Sequence, residues 1–229
     1  MKIGIIAAME QEVNILVDKL KDKTVSTVAN QTFYNGIIDK AEVVLVQSGI
    51  GKVNAAIATT LLIEKYNAEV VINTGSAGGI GKELKIGDLV VSTELSYNDA
   101  DARIFGYDFG QIPQMPSRYK ADSDLIDNVS KAADKMNWLI NKGLIVTGDS
   151  FIANSDKISD IKGNFPEALV TEMEGAAVAQ TCYQFGVPVV VVRALSDTSD
   201  EKASVSFEEF IEQAGKKSAE MVLNFLKDL

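Results

Sequence analysis

The sequence contains no histidine. Without an imidazole there can be no Ser-His-Asp or Cys-His nucleophile system and no His-ligated metal centre. If the chain is a hydrolytic enzyme, carboxylates must move the protons. Cysteine is nearly absent as well, since Cys182 stands alone. No internal disulfide can form, which suits a reducing, cytoplasmic compartment. Positive charge is in deficit, with 22 Lys and Arg against 32 Asp and Glu and a formal charge of −10. That balance argues against a surface built for nucleic acid or for an anionic membrane. The apolar start, Met1 to Ala8, is too short to span a bilayer and runs straight into Glu10 and Glu12. Neither a signal peptide nor an anchor is expected there. Repeats, low-complexity tracts and Pro/Ser-rich linkers are also missing, so a single domain over residues 1–229 is the expected organisation.

What is present is ordinary globular material, 46% hydrophobic and 24% charged, enough for a sizeable core. The most telling stretch is Pro188 to Asp197, Pro-Val-Val-Val-Val-Arg-Ala-Leu-Ser-Asp. Four valines without alternation predict a strand buried on both faces. Arg193, Ser196 and Asp197 follow at its carboxyl end, where open α/β sheets place ligands. A surface Arg–Asp pair capping a buried strand is the plainer alternative.

Strands are also predicted at Lys2–Ala8, Thr32–Ile38, Ala41–Gln47, Glu69–Asn73, Leu89–Ser96, Gly143–Thr147 and from Ala168. The second and third of these form a hairpin turning at Asp39-Lys40. Helices are predicted to begin near Glu10, Val53, Asp122, Asp156 and Gly175. A last helix opens on a Ser206/Glu209 capping box, with Phe207, Phe210, Ile211, Ala214, Met221, Val222 and Phe225 as its apolar stripe. The strand–glycine turn–helix at Ser48 to Asn54 fails both nucleotide fingerprints. Asn54 replaces the third glycine of a dinucleotide motif, and Val53 the Ser or Thr of a Walker loop. No cofactor and no metal are expected. The glycine cluster Thr74–Gly81 reads as a turn that lets backbone amides approach a ligand, or simply as a tight turn. Tyr97 to Lys120 shows no period and carries several aromatics, so it should cover a site or meet another subunit.

Met9, Glu12, Ile50, Ser76, Phe151, Ile152, Met173, Glu174, Ser196 and Asp197 all follow apolar strands. At one edge of a parallel sheet they would converge. Methionines and a phenylalanine beside three carboxylates suit an uncharged, aromatic, partly apolar ligand.

These residues carry a resemblance. Gly-Ile-Ile-Ala-Ala-Met-Glu-Gln-Glu at the start, Ser48–Val53, Asn73–Gly78, Gly148–Phe151, Glu172-Met173-Glu174, Arg193–Asp197 and Ser206-Phe207 occur in order along the whole chain. In these blocks the sequence resembles the 5′-methylthioadenosine/S-adenosylhomocysteine nucleosidases of the nucleoside phosphorylase superfamily. The resemblance implies an α/β fold: a single-domain three-layer αβα sandwich with a central mixed, mostly parallel sheet, assembled as a homodimer. It implies Asp197 as the general acid at adenine N7, oriented by Ser196, and Glu12 as the base for water. Acid and base on opposite faces of a cationic sugar parallel inverting glycosidases. Glu174 and Arg193 become the ribose-binding pair, with Phe151 stacking on adenine and Ile152 reading its edge. Met9, Ile50, Met173 and Phe207 would line the ribose and alkylthio pocket. Ala102, Phe105 and Pro113 would reach it from the partner subunit. Asn98 stands where relatives often have histidine, and Ala102 where bulkier apolar residues occur. The rival within the superfamily, a phosphate-dependent purine nucleoside phosphorylase, needs cations where this chain has Glu10 and Glu12. A non-catalytic adenine-nucleoside binder would have no need to keep Glu12, Glu174 and Asp197 together.

Overall fold

The computed structural model describes residues 1–199 and 203–227. The order of elements is β1 (Lys2–Ala7), α1 (Glu10–Val17), β2 (Lys21–Val28), β3 (Gln31–Ile38), β4 (Ala41–Gln47) and α2 (Lys52–Glu64). Then come β5 (Val70–Gly79), β6 (Leu89–Tyr97), β7 (Tyr119–Lys120), α3 (Ser123–Lys135), β8 (Ile140–Thr147) and α4 (Ser155–Asn164). The chain continues with β9 (Ala168–Glu172), α5 (Gly175–Phe185), β10 (Val189–Asp197) and α6 (Ala203–Leu226).

The valine run behaves as its composition dictates. Every residue of β10 is buried, and successive valines face opposite ways because side chains alternate along a strand. Val190 and Val192 join a core with α1, α3 and α6. Val189 and Val191 join another with the small residues Ala55, Ala58, Ala176, Ala177 and Ala179 of α2 and α5. Two helical layers therefore cover the two faces of the sheet, which gives the expected αβα sandwich. Each fully buried valine contributes about 1.5–3 kcal/mol by leaving water, so this strand is a firm base for what lies at its end.

The sheet is mixed, and its topology is more particular than a parallel edge. β4, β1, β5 and β10 run parallel to one another; β6, β8 and β9 form a second parallel block. The blocks meet antiparallel, through β10–β6 on one side and β5–β9 on the other, which closes a five-strand ring. The β5–β9 contact joins Gly78 to Thr171 and Gly79 to Val170, near the carboxyl ends of both strands. Strand ends thus converge because two ribbons meet head to head.

Three expectations are corrected. Thr74 to Gly79 is not a turn but the second half of β5, and its glycines admit side chains that crowd the strand. The last helix starts at Ala203, so Ser206 lies inside its first turn and cannot be its N-cap. β2 was not foreseen. Its residues are mostly exposed and polar, as befits an edge strand protected by charge. In the aperiodic segment, Phe109 packs on Phe165 at 5.8 Å, while Ile104 and Phe105 at its tip stay 89% and 79% exposed. Among the described residues no helix is long and apolar enough to cross a membrane.

Candidate active site

A cavity of about 350 Å³ opens where the two ribbons meet. It is lined by Met9, Glu12, Ile50, Ser76, Phe151, Met173, Glu174, Arg193, Ser196, Asp197 and Phe207, together with Ala8, Ala77, Gly78, Thr171 and Glu172. Ile152 stands apart from it, in an adjoining recess of about 30 Å³ that also touches Asp197, Met173 and Ser199. Ala102, Phe105 and Pro113 do not line the cavity of their own chain.

Glu12 is the third residue of α1, and its side chain folds back over the helix start. Oε2 accepts from the amides of Ala8 (3.0 Å) and Met9 (3.1 Å). Oε1 accepts from the amide (2.9 Å) and hydroxyl (3.1 Å) of Ser76 on β5. All four neighbours donate, so the buried carboxylate is presented to the cavity as an acceptor in one orientation. A first-turn acid that merely answered the helix dipole would make two of these bonds but not the reach across to β5.

Gly75 makes room for that reach. A Cβ there would stand 2.7 Å from Glu12 Oε1 and 2.5 Å from Arg193 Nη1. Gly78 does the same for Asp197, whose Oδ1 would lie 2.8 Å from an added Cβ. The glycines of β5 therefore serve side chains approaching the strand, besides any amide approaching a ligand.

Asp197 closes β10 and is 2% exposed. Its Oδ2 accepts from Ser196 Oγ at 2.9 Å, and its Oδ1 from the backbone amide of Ser199 at 2.8 Å. Ser199 was not singled out from the sequence. It adopts a left-handed φ of 55°, and its buried Oγ has no partner among the described residues. A serine two residues beyond a recognisable motif gives no signal of its own.

Arg193 is fully buried, and Nη2 donates to Glu172, to Asn73 Oδ1 at 2.7 Å and to Glu174 Oε2 at 3.4 Å. Glu172 is thus its main carboxylate partner, ahead of Glu174, with which the resemblance had paired Arg193 at the ribose. Glu172 also accepts from Thr147 Oγ1 and from the amides of Glu174 (3.0 Å) and Gly175 (2.8 Å). It holds the guanidinium in place, while Arg193 Nε remains without a partner among the described residues.

Glu174 is left with a freer carboxylate, which takes the Gly51 amide at 2.9 Å. Burial pushes its pKa up to about 7; Arg193 opposes the rise, Glu172 adds to it, the Gly51 amide opposes it and Glu12 adds to it. Phe151 and Phe207 meet edge to face at 5.4 Å across the mouth. Phe151 is 43% and Ile50 48% exposed, leaving apolar surface for a flat ligand to cover. Asn98 makes its bond within the chain, donating to Thr171 Oγ1 at 2.9 Å.

Residues 2–227 match a family described as the phosphorylase superfamily. The 5′-methylthioadenosine/S-adenosylhomocysteine nucleosidase of Exiguobacterium sp. is 51% identical over all of this chain and 99% of its own length. The S-adenosylhomocysteine nucleosidase of Streptococcus pyogenes, solved in complex with 5-methylthiotubericidin, superposes with a TM-score of 0.98 at 45% identity, covering 100% of this chain and 97% of that one. The Neisseria meningitidis 5′-methylthioadenosine/S-adenosylhomocysteine nucleosidase, in complex with methylthio-immucillin-A, gives 0.98 at 44% identity, with 100% and 99% covered. The chain belongs to the phosphorylase superfamily and, within it, to the 5′-methylthioadenosine/S-adenosylhomocysteine nucleosidases.

Proposed function

We propose that this chain hydrolyses the N-glycosidic bond of 5′-methylthioadenosine and S-adenosylhomocysteine, and of 5′-deoxyadenosine, to adenine and the 5-substituted ribose. The observation that carries the reading is that Glu12 and Asp197, far apart in sequence, are both buried on one cavity beside Glu174 and Arg193. Adenine is a poor leaving group as an anion. Asp197 therefore gives a proton to N7 as the C1′–N9 bond breaks and its electrons pass into the ring. Glu12 takes a proton from water as the water oxygen bonds C1′, so the charge on the ribose is discharged from the other face. Ser196 and the Ser199 amide orient the acid; Ser76 and the amides of Ala8 and Met9 orient the base.

Glu174 accepts from the ribose hydroxyls, and the spare Nε–H of Arg193 fits a further oxygen acceptor on the ligand. Phe151 stacks on the purine, and Ile152 reads its edge from the adjoining recess. Met9, Ile50, Met173 and Phe207 enclose the ribose and the 5′ substituent.

Water is the nucleophile this charge distribution favours. Glu12, Glu172 and, once ionised, Glu174 set negative charge around one guanidinium, which is already engaged by Glu172; Asp197, as the protonated acid, adds none. A phosphate dianion would meet net repulsion there. The homodimer belongs to the same proposal. Val53 and Ile57, one turn apart on α2, are 70% and 38% exposed, alongside the bare Ile104 and Phe105. Apolar surface of this kind asks for a partner, and Ala102, Phe105 and Pro113 are free to complete that partner's pocket.

The test is product analysis on the three nucleosides in phosphate-free buffer. Adenine and free 5-substituted ribose are expected. Obligatory phosphate and a ribose 1-phosphate product would replace this reading with the phosphorylase.

A further inference from the structure

Beside the cavity lies a charged cluster that the chemistry above does not use. Lys52 Nζ contacts both oxygens of Asp99, at 2.8 and 2.7 Å, and lies 3.6 Å from Asp149 Oδ2. It also sits over the Tyr97 ring, 5.3 Å from the centroid. Two backbone amides join in. Lys52 N donates to Asp149 Oδ1 at 2.8 Å, and Asp149 N donates to Asp99 Oδ2 at 2.9 Å. Three segments remote in sequence are thereby tied together: the glycine turn before α2, the end of β6, and the loop after β8.

Two of those segments carry the open walls of the cavity. Ile50 precedes Lys52 by two residues, and Phe151 follows Asp149 by two. Between Ile50 and Lys52 lies Gly51, whose amide holds Glu174 Oε1. Gly51 has a φ of 100°, and a Cβ on it would stand 3.1 Å from Asp149 Oδ1. The glycine turn that failed as a phosphate loop thus has another task.

We propose that Lys52, Asp99 and Asp149 form a clasp of positioning residues that fixes the Phe151 wall relative to Ile50 and the Gly51 amide, and so sets how tightly the nucleoside is held. None of the three touches the reacting atoms. The inference rests on the nucleosidase reading for its substrate, but the clasp itself can be observed without one. Its ion pairs are half-exposed, so the effect is modest and screened by salt.

The experiment compares the wild-type protein with Lys52→Met, Asp99→Asn and Lys52→Arg, using 5′-methylthioadenosine kinetics and amide hydrogen exchange of the unliganded protein. In Lys52→Met and Asp99→Asn we expect KM to rise about two- to fivefold while kcat stays within about twofold, the range of partly exposed ion pairs. Exchange should quicken at residues 149–152 and 50–52 and not in the core strands. Lys52→Arg should restore wild-type KM. About 0.5 M NaCl should raise the wild-type KM and leave that of Lys52→Met flat. Unchanged KM and exchange in Lys52→Met, or a fall in kcat with KM constant, would overturn the clasp. A wild-type protein that releases no adenine would instead defeat the nucleosidase reading, and the exchange data would still decide the clasp.

Discussion

At the scale of single residues, the decisive groups are buried carboxylates whose neighbours give them different tasks. Glu12 meets four donors, Glu172 is bound to Arg193, Glu174 takes the Gly51 amide and only a long contact from Arg193, and Asp197 is braced by two serines. Glu12→Gln and Asp197→Asn keep shape and lose proton transfer. Each should lower kcat by about 10²–10⁴-fold while adenine still binds in calorimetry; a variant within tenfold of wild type would remove its residue from the proposed role.

Glu174 makes a separate prediction. Its pKa is raised by burial from 4.5 to about 7, so the folded protein binds more protons than the unfolded chain between those values. The stabilisation is fully present below pH 4.5 and is lost as pH rises through about 7. Glu174→Gln, which imitates the protonated form, should therefore match wild type at pH 4 and melt higher at pH 8. The gain is on the order of 3 kcal/mol as an upper bound, from about 1.4 kcal/mol per pK unit. Equal melting differences at the two pH values would contradict it.

At the scale of elements, β5 shows why a glycine cluster is hard to read. Glycine density signals a turn as readily as a crowded strand, and nothing local in Thr74–Gly79 tells that Glu12, Arg193 and Asp197 will press on it. Gly75→Ala tests the crowding. Its methyl group must displace Glu12 or Arg193, costing about 1–3 kcal/mol of stability and most of the activity. Gly163→Ala in α4 is the control, because nothing lies within 4 Å of an added Cβ; it should stabilise by about 0.5–1 kcal/mol. Similar melting temperatures for the two variants would refute the account. The helix of Ala203–Leu226 carries a second lesson. Ser206 and Glu209 have the spacing of a capping box, yet a capping box can also occur by chance inside a first turn, and the apolar stripe does not mark where a helix starts.

At the scale of the whole molecule, the exposed Ile104 and Phe105 and the bare face of α2 point to association. Sedimentation of the wild-type protein should give a dimer. Ile104→Ser with Phe105→Ser should weaken it and raise KM for the nucleoside. A monomeric wild type with full activity would end the proposal that Ala102, Phe105 and Pro113 complete a neighbour's pocket.

The valine run of β10 and the ordered blocks of motif were enough, by themselves, to determine an α/β fold and most of the residues that line the cavity; the absence of histidine turned the proposed chemistry toward carboxylates. Those properties are legible because burial, periodicity and residue type are local. Tertiary structure alone decided that two parallel ribbons close head to head at Gly78 and Thr171. It also made Glu172 rather than Glu174 the main holder of Arg193 and fastened Lys52 to Asp99 and Asp149. Each of these depends on distances between segments remote in the chain, and on which of several like charges is left over when one guanidinium is shared.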